Sequence, residues 1–177
     1  MSQAITYTID PAHSTAGFKV RHLMVSNVRG EFSKVTGTVV VDADAPENSR
    51  VEARIDASTI HTRDEQRDAH LKSADFLDVE KFPEITFVSK KVAGGDGEWK
   101  VTGDLTIHGV TKQVTLDVEG LAPEVKDPWG NVKSGATAAT KISRKDFGMV
   151  FNMALETGGV MVGDEVTISL ELELLRS

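Results

Sequence analysis

The sequence predicts an all-β protein, a closed antiparallel barrel of eight strands carrying one short helix on a connection across the barrel end. Three observations predict it. The 177 residues include 21 valines, 8 isoleucines and 16 threonines against 11 leucines, and β-branched side chains favour strands. Apolar and polar residues alternate with a period of two along most of the chain. Turn signals fall between the alternating runs. A strand with one apolar and one wet face belongs to an antiparallel sheet around a single interior. Closing that sheet removes its exposed edges. The length favours one domain, spanning residues 1–177.

The elements follow in order. Ile5, Tyr7 and Ile9 share a face. Ala16, Phe18, Val20 and His22 share the next, with Leu23 to Asn27 reading as a half-turn that interrupts the run. Val35, Gly37, Val39 and Val41 precede Val51, Ala53, Ile55 and Ala57, and then Ile85 and Phe87. Val101, Gly103, Leu105 and Ile107 form a further stripe, as do Val114, Leu116 and Val118. Ala136, Ala138, Thr140 and Ile142 come next, and Val166, Ile168, Leu170, Leu172 and Leu174 end the chain. Gly94-Gly95-Asp96-Gly97 and His108-Gly109 read as hairpin turns, and Asp127 to Asn131 as a longer loop. Thr62 to Ser73 breaks the period with charge and helix formers, and Thr62 with Glu65 fits a capping box.

Composition excludes several functions. Without cysteine, disulfide frameworks, thiolate-bound zinc and thiol catalysis fall away, and a reducing compartment is compatible. A net charge of −7 disfavours nucleic acid as a partner and makes membrane contact at most transient. The opening residues show no basic and apolar signal pattern, and no apolar run has membrane-spanning length. A cytoplasmic protein is the expectation.

The inward face is unusual for its small residues: Ala16, Gly37, Ala53, Ala57, Gly103, Ala136, Ala138 and Thr140. Small inward residues mean either close backbone approach or space. The stretch Phe147 to Gly163 carries one charge, Glu156, and three of the five methionines, Met149, Met153 and Met161. Methionine fills gaps in cores and also suits surfaces that adapt to varied apolar shapes. Together these features point to a lumen for a chain-like apolar ligand.

Catalytic and metal motifs are weak. The five histidines make no close ligand pair, and no metal or other cofactor is expected. Asp146-Phe147-Gly148 spells a kinase tripeptide without the rest of a kinase, and no nucleophile elbow or phosphate loop occurs. His22 has inward parity, which suits either a hydrogen-bonded core histidine or a contact to a polar ligand head. Arg144 and Asp146 share parity with Ile142, so an ion pair at the barrel mouth and a guanidinium offered to a phosphate-like head are both open.

The chain resembles the YceI-like family of polyisoprenoid-binding proteins. The resemblance rests on Asp10 to Ser14 followed by Phe18 to Leu23, on Gly30 to Phe32, and on Arg67 to Glu80 with Pro83. Gly103 to Thr111, Ile142 to Gly148 and Val162 to Val166 complete it in the same order. It implies a lipocalin-like barrel that binds or transports a long isoprenoid or fatty chain, and no catalysis. Leu77 departs from the family's habit of a second aromatic after Phe76. The missing signal pattern departs from the many exported members.

The expected lumen residues are Ala16, Phe18, Val20, Ala136, Ala138, Phe147, Met149 and Met153, with His22 and Arg144 at the head group or mouth. The helix around His70 and the Asp75-Phe76 loop would gate access. Two other classes stay open. One is an enzyme using the lumen as an acid/base chamber through His22 or Asp146. The other is a filled barrel serving protein interaction. A homodimer through an exposed strand face is also open.

Overall fold

Among the described residues the alternating runs form twelve strands: β1 (Ile5–Ile9), β2 (Thr15–His22), β3 (Ser26–Phe32), β4 (Val35–Val41), β5 (Arg50–Asp56), β6 (Ile60–His61), β7 (Glu84–Gly95), β8 (Glu98–Ile107), β9 (Val110–Gly120), β10 (Val125–Lys126), β11 (Val132–Ser143) and β12 (Val162–Arg176). One helix, α1 (Glu65–Lys72), lies between β6 and β7. The computed structural model describes residues 4–153, 155 and 161–177.

Eight strands close a ring. Around it β11, β9, β8, β7, β5, β4, β1 and β12 pair in turn, and the β11–β12 ladder, from Lys133↔Leu175 to Ser143↔Glu165, shuts it. β12 is long enough to use its other edge twice. Its end pairs with β1 at Ile9↔Leu174, and its earlier part pairs with β2 at Ile168↔Phe18. β2, β3 and β6 thus extend the wall past the end of β1.

The turn chemistry matches the sequence. Asp96 and Gly97 join β7 to β8 with φ of 53° and 84°, and His108 and Gly109 join β8 to β9 with 55° and 72°. Two successive positive φ values are what a tight type I′ hairpin requires. Leu23 and Met24, also at positive φ, turn β2 into β3, so the irregular piece is a hairpin between two full strands.

The small inward residues divide between the two readings. A Cβ at Gly37 would collide with the Glu52 carbonyl, and one at Gly103 with the Val88 carbonyl and the Phe87 ring. At these glycines the missing side chain permits close strand approach. Ala57 belongs to a short 3-10 turn after β5 and is buried. The alanines of β2, β5 and β11 border open space instead.

The cap of α1 differs from the expected box. Asp64 is the N-cap and accepts from the Arg67 amide at 3.0 Å. Thr62 instead bonds Asp68, both through its amide and through its hydroxyl, at 2.8 and 2.6 Å. A carboxylate before the first turn satisfies a free amide and favours the positive helix end. Asp64 is better placed for this than Thr62, because Thr62 is buried against the barrel.

Candidate functional site

The barrel encloses a cavity of about 310 Å³, at the lower end of the range of roughly 300–1000 Å³ for small-molecule sites. Its wall is almost wholly apolar because each strand alternates. Valines, isoleucines and leucines of β4, β5, β8 and β12 supply a large share of it. The scarce large rings are concentrated there: five of the seven phenylalanines, Phe18, Phe32, Phe76, Phe87 and Phe151, line it with Trp99. Trp99 is fixed by its indole N–H, which donates to the Gly120 carbonyl at 2.9 Å.

Most of the expected lumen residues stand on this wall. Ala16, Phe18, Val20, Ala136, Ala138 and Met149 line the cavity. Two do not. Phe147 is buried, 1 % exposed, but packs behind the wall, where its carbonyl lies 3.1 Å from His108 Nδ1. Met153 is 57 % exposed. The reason is local: residues Arg144–Phe147 form a 3-10 turn and Gly148 takes the left-handed conformation, so strand parity does not extend beyond Ser143. Glu156 lies outside the described residues. Met161, from the same stretch, lines the cavity.

The same turn separates Arg144 from Asp146. Asp146 is exposed and does not border the cavity, so it is no partner for His22 in an acid/base chamber. Arg144 is 3 % exposed and borders the cavity. Its Nε donates to the Gly163 carbonyl at 2.8 Å, Nη1 to Met149 at 2.7 Å and Nη2 to Val162 at 3.2 Å. Asp164 lies 3.7 Å away. Burial lowers the pKa of this guanidinium, and the Asp164 charge opposes that shift. Arg144 is therefore first a brace that gathers three backbone carbonyls around the barrel end.

Beside it, aromatic rings close part of that end. Phe76 lies under the Arg144 guanidinium, 5.9 Å from its carbon. The rings of His70, Phe76 and Phe151 meet pairwise edge to face, with centroids 4.8–5.4 Å apart. His70 Nε2 is 2.9 Å from an Asp75 carboxylate oxygen. The helix and the Asp75-Phe76 loop thus sit where the sequence put them, against the lumen. His22 also lines this end, paired in the sheet with Val162. Phe151 and Arg67, both on the lining, escaped the sequence reading. Phe151 has no periodic neighbours, and Arg67 is one charge among many on a polar helix.

One further cluster lies away from the cavity. Asp10, His13 and Glu173 bring ligand atoms within 4.8 Å of one another. Lys133 already supplies their counter-charge, with Nζ 2.7 Å from Glu173 and 3.5 Å from Asp10. The cluster is satisfied without a metal.

Comparison with known proteins now decides the family. The YceI-like domain profile matches residues 7–174. The chain belongs to the YceI-like family. This YceI-like protein is 42 % identical over 169 residues to a UPF0312 protein of Staphylococcus aureus strain MSSA476, covering 94 % of this chain and 95 % of that one. Among solved structures it resembles Burkholderia cenocepacia BcnA, with a TM-score of 0.80, 25 % identity, and 93 % and 98 % of the two chains covered. It also resembles the Campylobacter jejuni YCEI protein, with a TM-score of 0.73, 30 % identity, and 89 % and 90 % covered. A polyisoprenoid binding domain from Saccharophagus degradans shares the fold at 15 % identity and a TM-score of 0.69, over 97 % and 98 % of the two chains. No helix among the described residues is long and apolar enough to cross a membrane.

Proposed function

We propose that this YceI-like protein binds the chain of an isoprenoid or other long amphiphilic lipid inside the barrel, for storage or transport, and is a binding protein rather than an enzyme. The observation that carries this reading is the apolar cavity of about 310 Å³ within the closed strand ring. Each methylene moved from water into such a space contributes about 0.8 kcal/mol. Several isoprene units therefore outweigh the cost of ordering the chain. The tail contacts are Ala16, Phe18, Val20, Ala136, Ala138 and Met149, and His22 stands near the head. The YceI-like resemblance supports the ligand class, and the cytoplasm is the compartment the reading assumes.

Native mass spectrometry of protein purified from its own host, followed by solvent extraction and lipid analysis, tests it. A co-purifying chain-like lipid at one per protein is expected. If no lipid co-purifies and delipidated protein also fails to take up any long-chain amphiphile, the reading is wrong.

A further inference from the structure

The cavity has a charge sense opposite to that of the protein. The chain carries 27 acidic and 20 basic residues, yet among the described residues no aspartate, glutamate or lysine borders the cavity. The groups able to carry charge there are Arg67, His70, Arg144 and His22, with Arg21 next to His22. They belong to one end of the barrel. Arg144 holds the carbonyl of Val162, which pairs with His22, and stacks over Phe76, whose ring is 5.0 Å from that of His70. Arg67 precedes His70 by three residues on α1, so the two share a face of the helix.

Part of this positive charge has no direct carboxylate partner among the described residues. Arg67 donates to the hydroxyl and carbonyl of Thr62, at 2.7 and 2.6 Å, which are uncharged partners. Arg21 donates to the Met24 carbonyl. Among the described residues neither arginine pairs directly with a carboxylate, and Asp68 reaches Arg67 only through the shared Thr62 hydroxyl. Arg144 has Asp164 at 3.7 Å, itself 47 % exposed. His70 has the nearer carboxylate, Asp75 at 2.9 Å. Charges at the edge of an apolar cavity are weakly screened, because the wall has a low dielectric response.

We infer that the site selects amphiphiles with an anionic head, a carboxylate or a phosphate monoester, over neutral or cationic amphiphiles of the same chain. The inference rests on the lumen reading above. With the tail in the lumen and the head at this end, an anion accepts charge-assisted hydrogen bonds from guanidinium groups. A hydroxyl head gains less, and an ammonium head is repelled.

The test uses delipidated full-length protein and displacement of an apolar fluorescent dye. The probes are palmitate, hexadecyl phosphate, hexadecanol and hexadecylamine, each below its aggregation concentration. At least one of the two anions should bind more tightly than hexadecanol by about tenfold or more, the size of one hydrogen bond to a charged group. Hexadecylamine should bind most weakly. The two anionic arms show whether carboxylate or phosphate is preferred. Arg67→Gln, and Arg67→Gln combined with Arg21→Gln, should shrink the anion-to-alcohol ratio in variants whose circular dichroism matches the parent. Equal binding of all four probes overturns the charge selection and leaves the lumen reading intact. A failure of all four to displace the dye overturns both.

Discussion

The rings of His70 and Phe151 meet edge to face with centroids 4.8 Å apart, tying helix α1 to the segment that follows β11. Phe76 joins both rings, so three separate pieces of chain close over one part of the lumen. A ring pair of this kind contributes about 0.5–1.5 kcal/mol beyond its buried area. Phe151→Ala should speed ligand exchange by about two- to tenfold, the rate equivalent of that range. Stopped-flow release of a bound fluorescent lipid measures it. An unchanged release rate means the rings do not control access.

Arg144 holds three backbone carbonyls, those of Met149, Val162 and Gly163, with one side chain. Arg144→Met should lower stability by about 3–5 kcal/mol, the usual cost of removing one partner from a buried charged network. For a domain of this size that is a fall in Tm of roughly 6–20 °C. Arg144→Lys should rescue little, because an ammonium group lacks the planar fork that reaches three acceptors. Thermal unfolding followed by circular dichroism checks both, and a parental Tm for Arg144→Met refutes the brace.

The wall was legible in the sequence because strand parity is a local rule. Ala16, Phe18, Val20, Ala136 and Ala138 could be placed from their neighbours alone, and the hairpins at Asp96-Gly97 and His108-Gly109 announced themselves by residue type. The end of the barrel was not legible. Parity fails in the 3-10 turn after Ser143, so Phe147 and Asp146 were assigned to the wrong side and Met153 to the lumen. Arg144 borders the cavity, but its partners Val162 and Gly163 lie eighteen and nineteen residues along the chain. The contacts of Phe151 with His70 and Phe76 are equally non-local, and no periodicity encodes them.

Small residues have two roles here, and one pair of substitutions separates them. Ala138 borders the cavity between Val118 and Leu170. Ala138→Phe should fold, because its ring has space to enter, and should bind long chains more weakly than short ones. In a filled interior the same change would cost about 1–3 kcal/mol. Gly103→Ala adds only a methyl group, yet it meets the Val88 carbonyl and the Phe87 ring. It should be the more destabilising of the two in urea unfolding. The reverse order would show that the space beside Ala138 is not available to a ligand.

Tyr7 gives a clean view of pH dependence, because it is the chain's single tyrosine. Its hydroxyl donates to a Glu124 carboxylate oxygen at 2.7 Å, and Arg176 holds the same carboxylate at 2.8 Å. Burial first, then the bond to Glu124 and its negative charge, push the phenol up from 10.0 to about 12, against the opposing charge of Arg176. The folded pKa is raised above the unfolded one, so the protonated phenol stabilises the fold fully below pH 10. That contribution is lost as pH rises from 10 towards 12, because the unfolded chain ionises first. Phenolate absorbance should therefore show a midpoint near 12 in the folded protein, and one near 10.0 in denaturant. Tyr7→Phe should remove the part of the alkaline loss of stability that falls in this window. A folded-state midpoint close to 10 would show that Tyr7 is neither buried nor bonded as described.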